Sequence, residues 1–119
     1  MDASSQALRM LTEIGVAASG AGLIGEATAI FDGIEAMRPG SEAAGIGTAV
    51  AQLNARAFED AIKTLRTRVL AKHPGSIEAK MFLALALKFG GRNAECDSVI
   101  KELTASGDAT AQAFAASLK

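Results

Sequence analysis

Leu11-x2-Ile14-Gly15-x2-Ala18, followed by Ala27-x3-Phe31 and then by Pro39, is the stretch on which the fold turns. Moved on by 34 positions, Ile24, Ala27 and Phe31 fall on Phe58, Ala61 and Leu65, and the helix-breaking Pro39 returns one residue late as Pro74. The triplet Pro39-Gly40-Ser41 recurs whole as Pro74-Gly75-Ser76. Self-similarity at such a period marks stacked repeats in which each unit is a helical hairpin. One hairpin cannot bury its own apolar face, so units stack and leave a concave surface open. A surface of that kind holds another polypeptide, and the repeat points to binding rather than to chemistry.

The slots are those of the tetratricopeptide template, whose period is about 34 residues. The expected fold class is therefore all-α: a short tetratricopeptide-like (TPR-like) solenoid of three helical hairpins plus a C-terminal capping helix, one domain over residues 1–119. Hairpins are expected at about 5–38, 42–73 and 77–104, and the cap helix at 109–118. Ser4 or Ser5 caps the first helix, over roughly 5–19, and the glycines at 20 and 22 end it. Further helices are expected at about 23–37, 42–54 (capped by Ser41) and 58–72. A third unit, one residue out of phase, places Leu83, Ala84, Leu87, Gly91, Cys96, Ile100 and Leu103 in packing slots, and Asp108 caps the last helix. Gly15, Ala49 and Ala84 stand where first helices cross second ones, opposite Ala27, Ala61 and Cys96. Small residues suit the 8–10 Å or so at which helices pack.

Half of the residues are hydrophobic but only 4% are aromatic, so the core is aliphatic and helix-forming. One cysteine excludes an intramolecular disulfide framework and fits a reducing compartment. The opening Met-Asp-Ala-Ser-Ser lacks the basic and apolar regions of a signal peptide, and no apolar run approaches the ~20 residues of a membrane span. A cytoplasmic location is expected, with no membrane partner. Residues 1–50 carry six acids and two bases and residues 51–100 eight bases and five acids. Arg56, Lys63, Arg66, Arg68 and Lys72 lie mostly on one helix with only Phe58 as an aromatic, which reads as a solvated outer face and not as a nucleic-acid site.

Gly20-Ala21-Gly22-Leu23-Ile24-Gly25 spells G-x-G-x-x-G, the phosphate turn of a dinucleotide-binding fold. That reading needs a strand before the turn and an acid ending a second strand. The segment Arg38 to Ala44 offers neither a β-branched run nor a strand-ending acid, and the same glycines are explained as a hairpin turn. With one histidine, no tyrosine or tryptophan and no nucleophile paired with a base, no enzyme, cofactor or metal is expected. His73, at a helix end beside Lys72, is read as interacting with the helix dipole. Cys96 is read as a small buried hydrophobe.

First helices of stacked hairpins line the concave side. Their residues between packing slots are Val16 and Ser19, then Ile46, Val50, Leu53 and Asn54, then Met81, Leu85, Lys88 and Phe89. This groove is apolar and suits the apolar stripe of a partner helix. Val50, Leu53, Met81 and Leu85 are expected to form one strip across it. The C-terminal helix, with Ala111, Phe114, Ala115 and Leu118 on one face, can fold back to fill part of the groove.

Three degenerate hairpins, a short acidic N-terminus, the segment Glu13 to Gly22 followed by Glu26-Ala27, and the apolar groove resemble the small TPR chaperones of bacterial type III secretion. These are the YscG/PscG-type needle-subunit chaperones and their relatives in plant-associated bacteria. The resemblance implies a cytoplasmic chaperone that cradles the C-terminal amphipathic helix of the needle subunit and prevents premature polymerisation. It often does so with a small helical co-chaperone, as a hetero-oligomer. Val16, Ile46, Val50, Leu53, Met81, Leu85 and Phe89 match that family's apolar lining, whereas Lys88 departs from it and suits an acid on the client. The competing expectation is a generic TPR adaptor for protein–protein interaction with no secretion role.

Overall fold

In the computed structural model, which describes residues 3–119 and side chains from Ser5 onward, the chain forms seven α-helices. They are α1 (Ala3–Gly20), α2 (Ile24–Met37), α3 (Glu42–Asn54), α4 (Phe58–Thr64), α5 (Ile77–Phe89), α6 (Asn93–Thr104) and α7 (Ala109–Leu118), and a π-helical segment, Leu65–Leu70, continues α4. There is no strand among the described residues, so the fold class is all-α. Ile14 to Ala18, which a nucleotide-binding turn would need as a strand, is helical. The acidic start at Asp2 lies outside the described residues. Ala3, the first described residue, is already helical, so Ser4 and Ser5 stand inside α1 and not at the expected boundary near residue 5.

The two kinds of connection between helices have different chemistry. Ser41, Ser76 and Asp108 each accept a hydrogen bond from the backbone N–H three residues on, starting α3, α5 and α7. Helices α2, α4 and α6 have no side-chain cap. They follow a turn in which the preceding helix closes on itself. Leu23 N–H donates to the Ala18 carbonyl, Ala57 to Gln52 and Arg92 to Leu87, each next to a residue of positive φ. This double closure satisfies the last carbonyls of a helix and needs a left-handed residue. Gly22, Arg56 and Gly91 fill that place with φ of 86°, 61° and 77°. Gly91 is thus a turn residue and not a packing residue.

Consecutive helices pack on each other, and α1, α3, α5 and α7 also pack side by side, whereas the backbones of α2, α4 and α6 do not approach one another closely. The odd-numbered helices therefore form one layer and the even-numbered ones another, over extents of 39 × 30 × 22 Å. Between the layers the small residues meet their partners. A Cβ on Gly15 would stand 2.7 Å from Phe31 Cζ, so only glycine leaves room for the ring. Ala49 and Ala61 are fully buried, and the Cys96 thiol donates to the Ala84 carbonyl at 3.4 Å.

The helix expected over 58–72 contains a change of pitch. Ala71 N–H donates to the carbonyl of Arg66, five residues back, the wide spacing that defines a π turn. One extra residue in a turn rotates everything after it. Leu65 stands 34 residues after Phe31, but the next buried residue is Val69, 35 after Ile34. Without the slip Arg68 would occupy the slot of Ile34, and a guanidinium would enter an apolar core at a cost of several kcal/mol. With it, Val69 meets α3 so closely that a Cβ on Gly45 would lie 2.6 Å from Val69 Cγ2. The late return of Pro74 is the downstream trace of this turn.

The two Pro-Gly-Ser triplets are tied together. His73 Nε2 lies 3.1 Å from the Gly40 carbonyl oxygen, so the histidine bridges the two connectors and is not, as expected, a partner of its own helix end alone. The Glu35 carboxylate accepts from the N–H groups of Gly40 and Ser41 at 3.1 and 3.2 Å. The bond from Gly40, then that from Ser41, with help from Arg68 and Lys72, hold its carboxyl below the ordinary carboxylate range against desolvation.

Candidate functional site

Because the odd-numbered helices lie side by side, the residues on their shared face bound a trough. Val16, Ile46 and Val50 line a hollow of about 360 Å³ between α1, α3 and α5, with Thr12, Gly47 and Phe82 beside them. Ile46 is nearly buried and makes its floor, while Val16 is 45% exposed at its wall. Met81 and Leu85 line a second hollow, of about 520 Å³, closed on its far side by Thr110 and Phe114 of α7. Phe82 and Glu78 border both, so the two hollows adjoin along the face of four helices, and together they are the trough.

The C-terminal helix builds this trough rather than filling it. Ala111 and Ala115 are buried in the main core, with Phe114 and Leu118 packed against it. Lys88 Nζ donates to the Leu118 carbonyl at 3.0 Å and fastens the end of α7 to α5. That bond satisfies a free carbonyl at a helix terminus, and Lys88 itself stays exposed.

Four expectations on this surface are corrected. Leu53, Asn54 and Phe89 are not in the trough with Met81 and Leu85, so the expected strip is interrupted. They line a separate hollow of about 330 Å³ with Arg56 and Phe58, at the C-terminal ends of α3 and α5. Phe89 is 60% exposed, its ring 5.9 Å from that of Phe58 and tilted by 37°. Ser19 is buried instead of lining the groove. Asn54 Nδ2 donates to Ser19 Oγ at 2.6 Å, which commits both groups to joining α1 to α3.

Phe82, Glu42 and Glu78 border the trough without having been singled out in the sequence, and Phe114 and Asp108, expected as a helix-face residue and a helix cap, border it too. Phe82 stands 35 residues after Gly47, and the contrast between these two residues hides the equivalence. The basic run lies on the other side. Arg66 pairs with Glu95 at 2.6 Å, and Arg92 joins Glu95 and Glu59 at 2.7 and 2.9 Å, linking α4 and its π extension to α6. Hydrogen bonds from Arg66, then from Arg92, hold the Glu95 carboxyl below its ordinary range. Exposed pairs of this type contribute little to stability. Arg56 is exposed as well, but it sits in a left-handed turn beside the Phe58–Phe89 hollow and not on a helix.

Cys96 is buried, and desolvation pushes its thiol above the ordinary range. A thiol so placed is a poor nucleophile. No helix among the described residues is long and apolar enough to cross a membrane. The chain matches no protein-family model, and no curated protein is significantly similar to it.

Proposed function

We propose that the chain is a TPR-like helical-repeat chaperone that holds an amphipathic helix of a client protein in the trough formed by α1, α3, α5 and α7. The observation that carries this reading is the adjacency of two apolar hollows along that face. Val16, Val50, Phe82, Met81, Leu85 and Phe114 present apolar surface to solvent across successive helices. Apolar grooves of this kind take the apolar face of a helix whose anchors recur at i, i+3, i+4 and i+7. The side-by-side packing of odd helices, and the recurrence of the Gly22, Arg56 and Gly91 turn, support a TPR-like solenoid.

With the sequence resemblance, the client is the needle subunit of a type III secretion system, held in the cytoplasm with a small helical co-chaperone. A subunit that polymerises through an apolar helix assembles prematurely unless that helix is covered. The test is co-expression with the candidate needle subunit and co-purification of the pair. Wild-type protein should keep the subunit soluble and monomeric, and Leu85→Asp should lose it while keeping its helical signal and melting temperature. A desolvated, unpaired carboxylate costs several kcal/mol in the complex but stays hydrated in the free protein. A partner equally soluble and monomeric alone identifies an adaptor instead, and retention by Leu85→Asp places the client on another face.

A further inference from the structure

The trough is apolar along its floor and charged along one edge. Glu42 lies in the first turn of α3 and Glu78 in the first turn of α5, and Asp108 caps α7. All three border the trough, and no lysine, arginine or histidine does so among its described lining residues. The acids belong to corresponding ends of three helices packed side by side, so they form a row across the stack.

Three acids of the even-numbered layer are neutralised. Glu59 and Glu95 pair with arginines and Glu35 with backbone donors. Glu42 and Glu78 have no ion pair or side-chain hydrogen bond among the described residues. Glu42 also borders an adjoining hollow that holds Arg9, Arg38 and His73, and it forms no ion pair with any of them. Asp108 spends one oxygen on its own helix, to Ala111 N–H at 2.8 Å.

We infer that the occupant of the trough is a helix whose apolar stripe is edged by lysine or arginine at seven-residue intervals, facing Glu42, Glu78 and Asp108. The inference rests on the helix-binding reading above and names the client's chemistry. Neighbouring helices pack at about 8–10 Å, so successive carboxylates are separated by roughly that distance. At about 1.5 Å of rise per residue, a client helix crossing the stack covers one interval in roughly five to seven residues. Seven residues are also close to two full turns. Cations with that spacing stay on one edge of the client helix while its apolar stripe stays on the floor.

The test uses three labelled synthetic helices with one apolar stripe and an edge of Lys, Gln or Glu at seven-residue spacing, titrated into the whole protein by fluorescence anisotropy. The Lys-edged helix should bind most tightly and the Glu-edged one least. Each exposed ion pair should contribute up to about a fivefold difference, and the difference should shrink as added salt shortens the Debye length. The double variant Glu42→Gln/Glu78→Gln should bind the Lys-edged helix only about as well as the Gln-edged one. Its affinity for the Gln-edged helix should equal that of the wild type. Saturable binding of all three helices with equal affinity, or tightest binding of the Glu edge, overturns the charge inference and leaves the helix-binding reading standing. No saturable binding of any of the three overturns both.

Discussion

The first helix pair and the second solve one packing problem with opposite volumes. In α1 and α2 a large ring, Phe31, is admitted because Gly15 and Gly47 carry no side chain against it. In α3 and α4 the equivalent places hold Leu65 and Ala49, a smaller group against a larger one, and both are fully buried. The third pair follows the second, with Ile100 and Ala84. What recurs every 34 or 35 residues is the summed volume at a helix crossing and not the residue type. The turns teach the same thing from the other direction, since Arg56 is forced into a backbone shape that Gly22 and Gly91 adopt without strain.

The largest expected effect breaks the volume balance. Gly47→Ala puts a methyl into the Phe31 ring and should lower stability by about 1–3 kcal/mol, measured by urea denaturation. Adding Phe31→Leu imports the second pair's solution and should recover part of that loss. Strictly additive losses in the double variant would mean that the two positions do not share one space.

A smaller change is expected at the strained turn. A non-glycine residue in the left-handed region costs roughly 1–2 kcal/mol, against about 0.5–1 kcal/mol for the freedom glycine loses on folding. Arg56→Gly should therefore raise stability by about 0.5–1 kcal/mol. The converse exchange, Gly22→Ala, should lower it, and thermal melts of the two variants should move in opposite directions.

Smaller still is the pH dependence of the connector. The folded-state pKa of Glu35 is lowered, so its contribution is present above the ordinary carboxylate range and is lost as pH falls through the folded value. On acidification the wild type should lose more stability than Glu35→Gln, with the difference confined to that window. Equal losses in denaturation series at neutral and acid pH would show that the bonds to Gly40 and Ser41 do not hold the first pair against the second.

Much of the fold was legible because helix ends announce themselves locally. Ser41, Ser76 and Asp108 are caps by residue type, and Ala27, Phe31, Ala61 and Leu65 are buried as their period implies. The π turn was not legible, although Pro74 carried its trace, because a one-residue phase shift does not say where along fifteen residues it is absorbed. The site was legible in part. Val16, Ile46 and Val50 line one hollow, and Met81 and Leu85 line the hollow beside it. Leu53 and Phe89 lie near the ends of α3 and α5, and turn geometry directs them elsewhere. The bonds from Asn54 to Ser19 and from His73 to Gly40 join residues more than thirty positions apart. Such pairings depend on how helices meet in space, which residue type alone does not encode.

The burial of Cys96 has a use in kinetics. It is the chain's one thiol, sealed between α5 and α6, with its proton held on by desolvation. An alkylating reagent can reach it only when the third helix pair opens, so the modification rate at saturating reagent counts those openings one by one. The same rate followed while a helix occupies the trough would report whether a client stiffens the helices beneath it, with no label added to the protein.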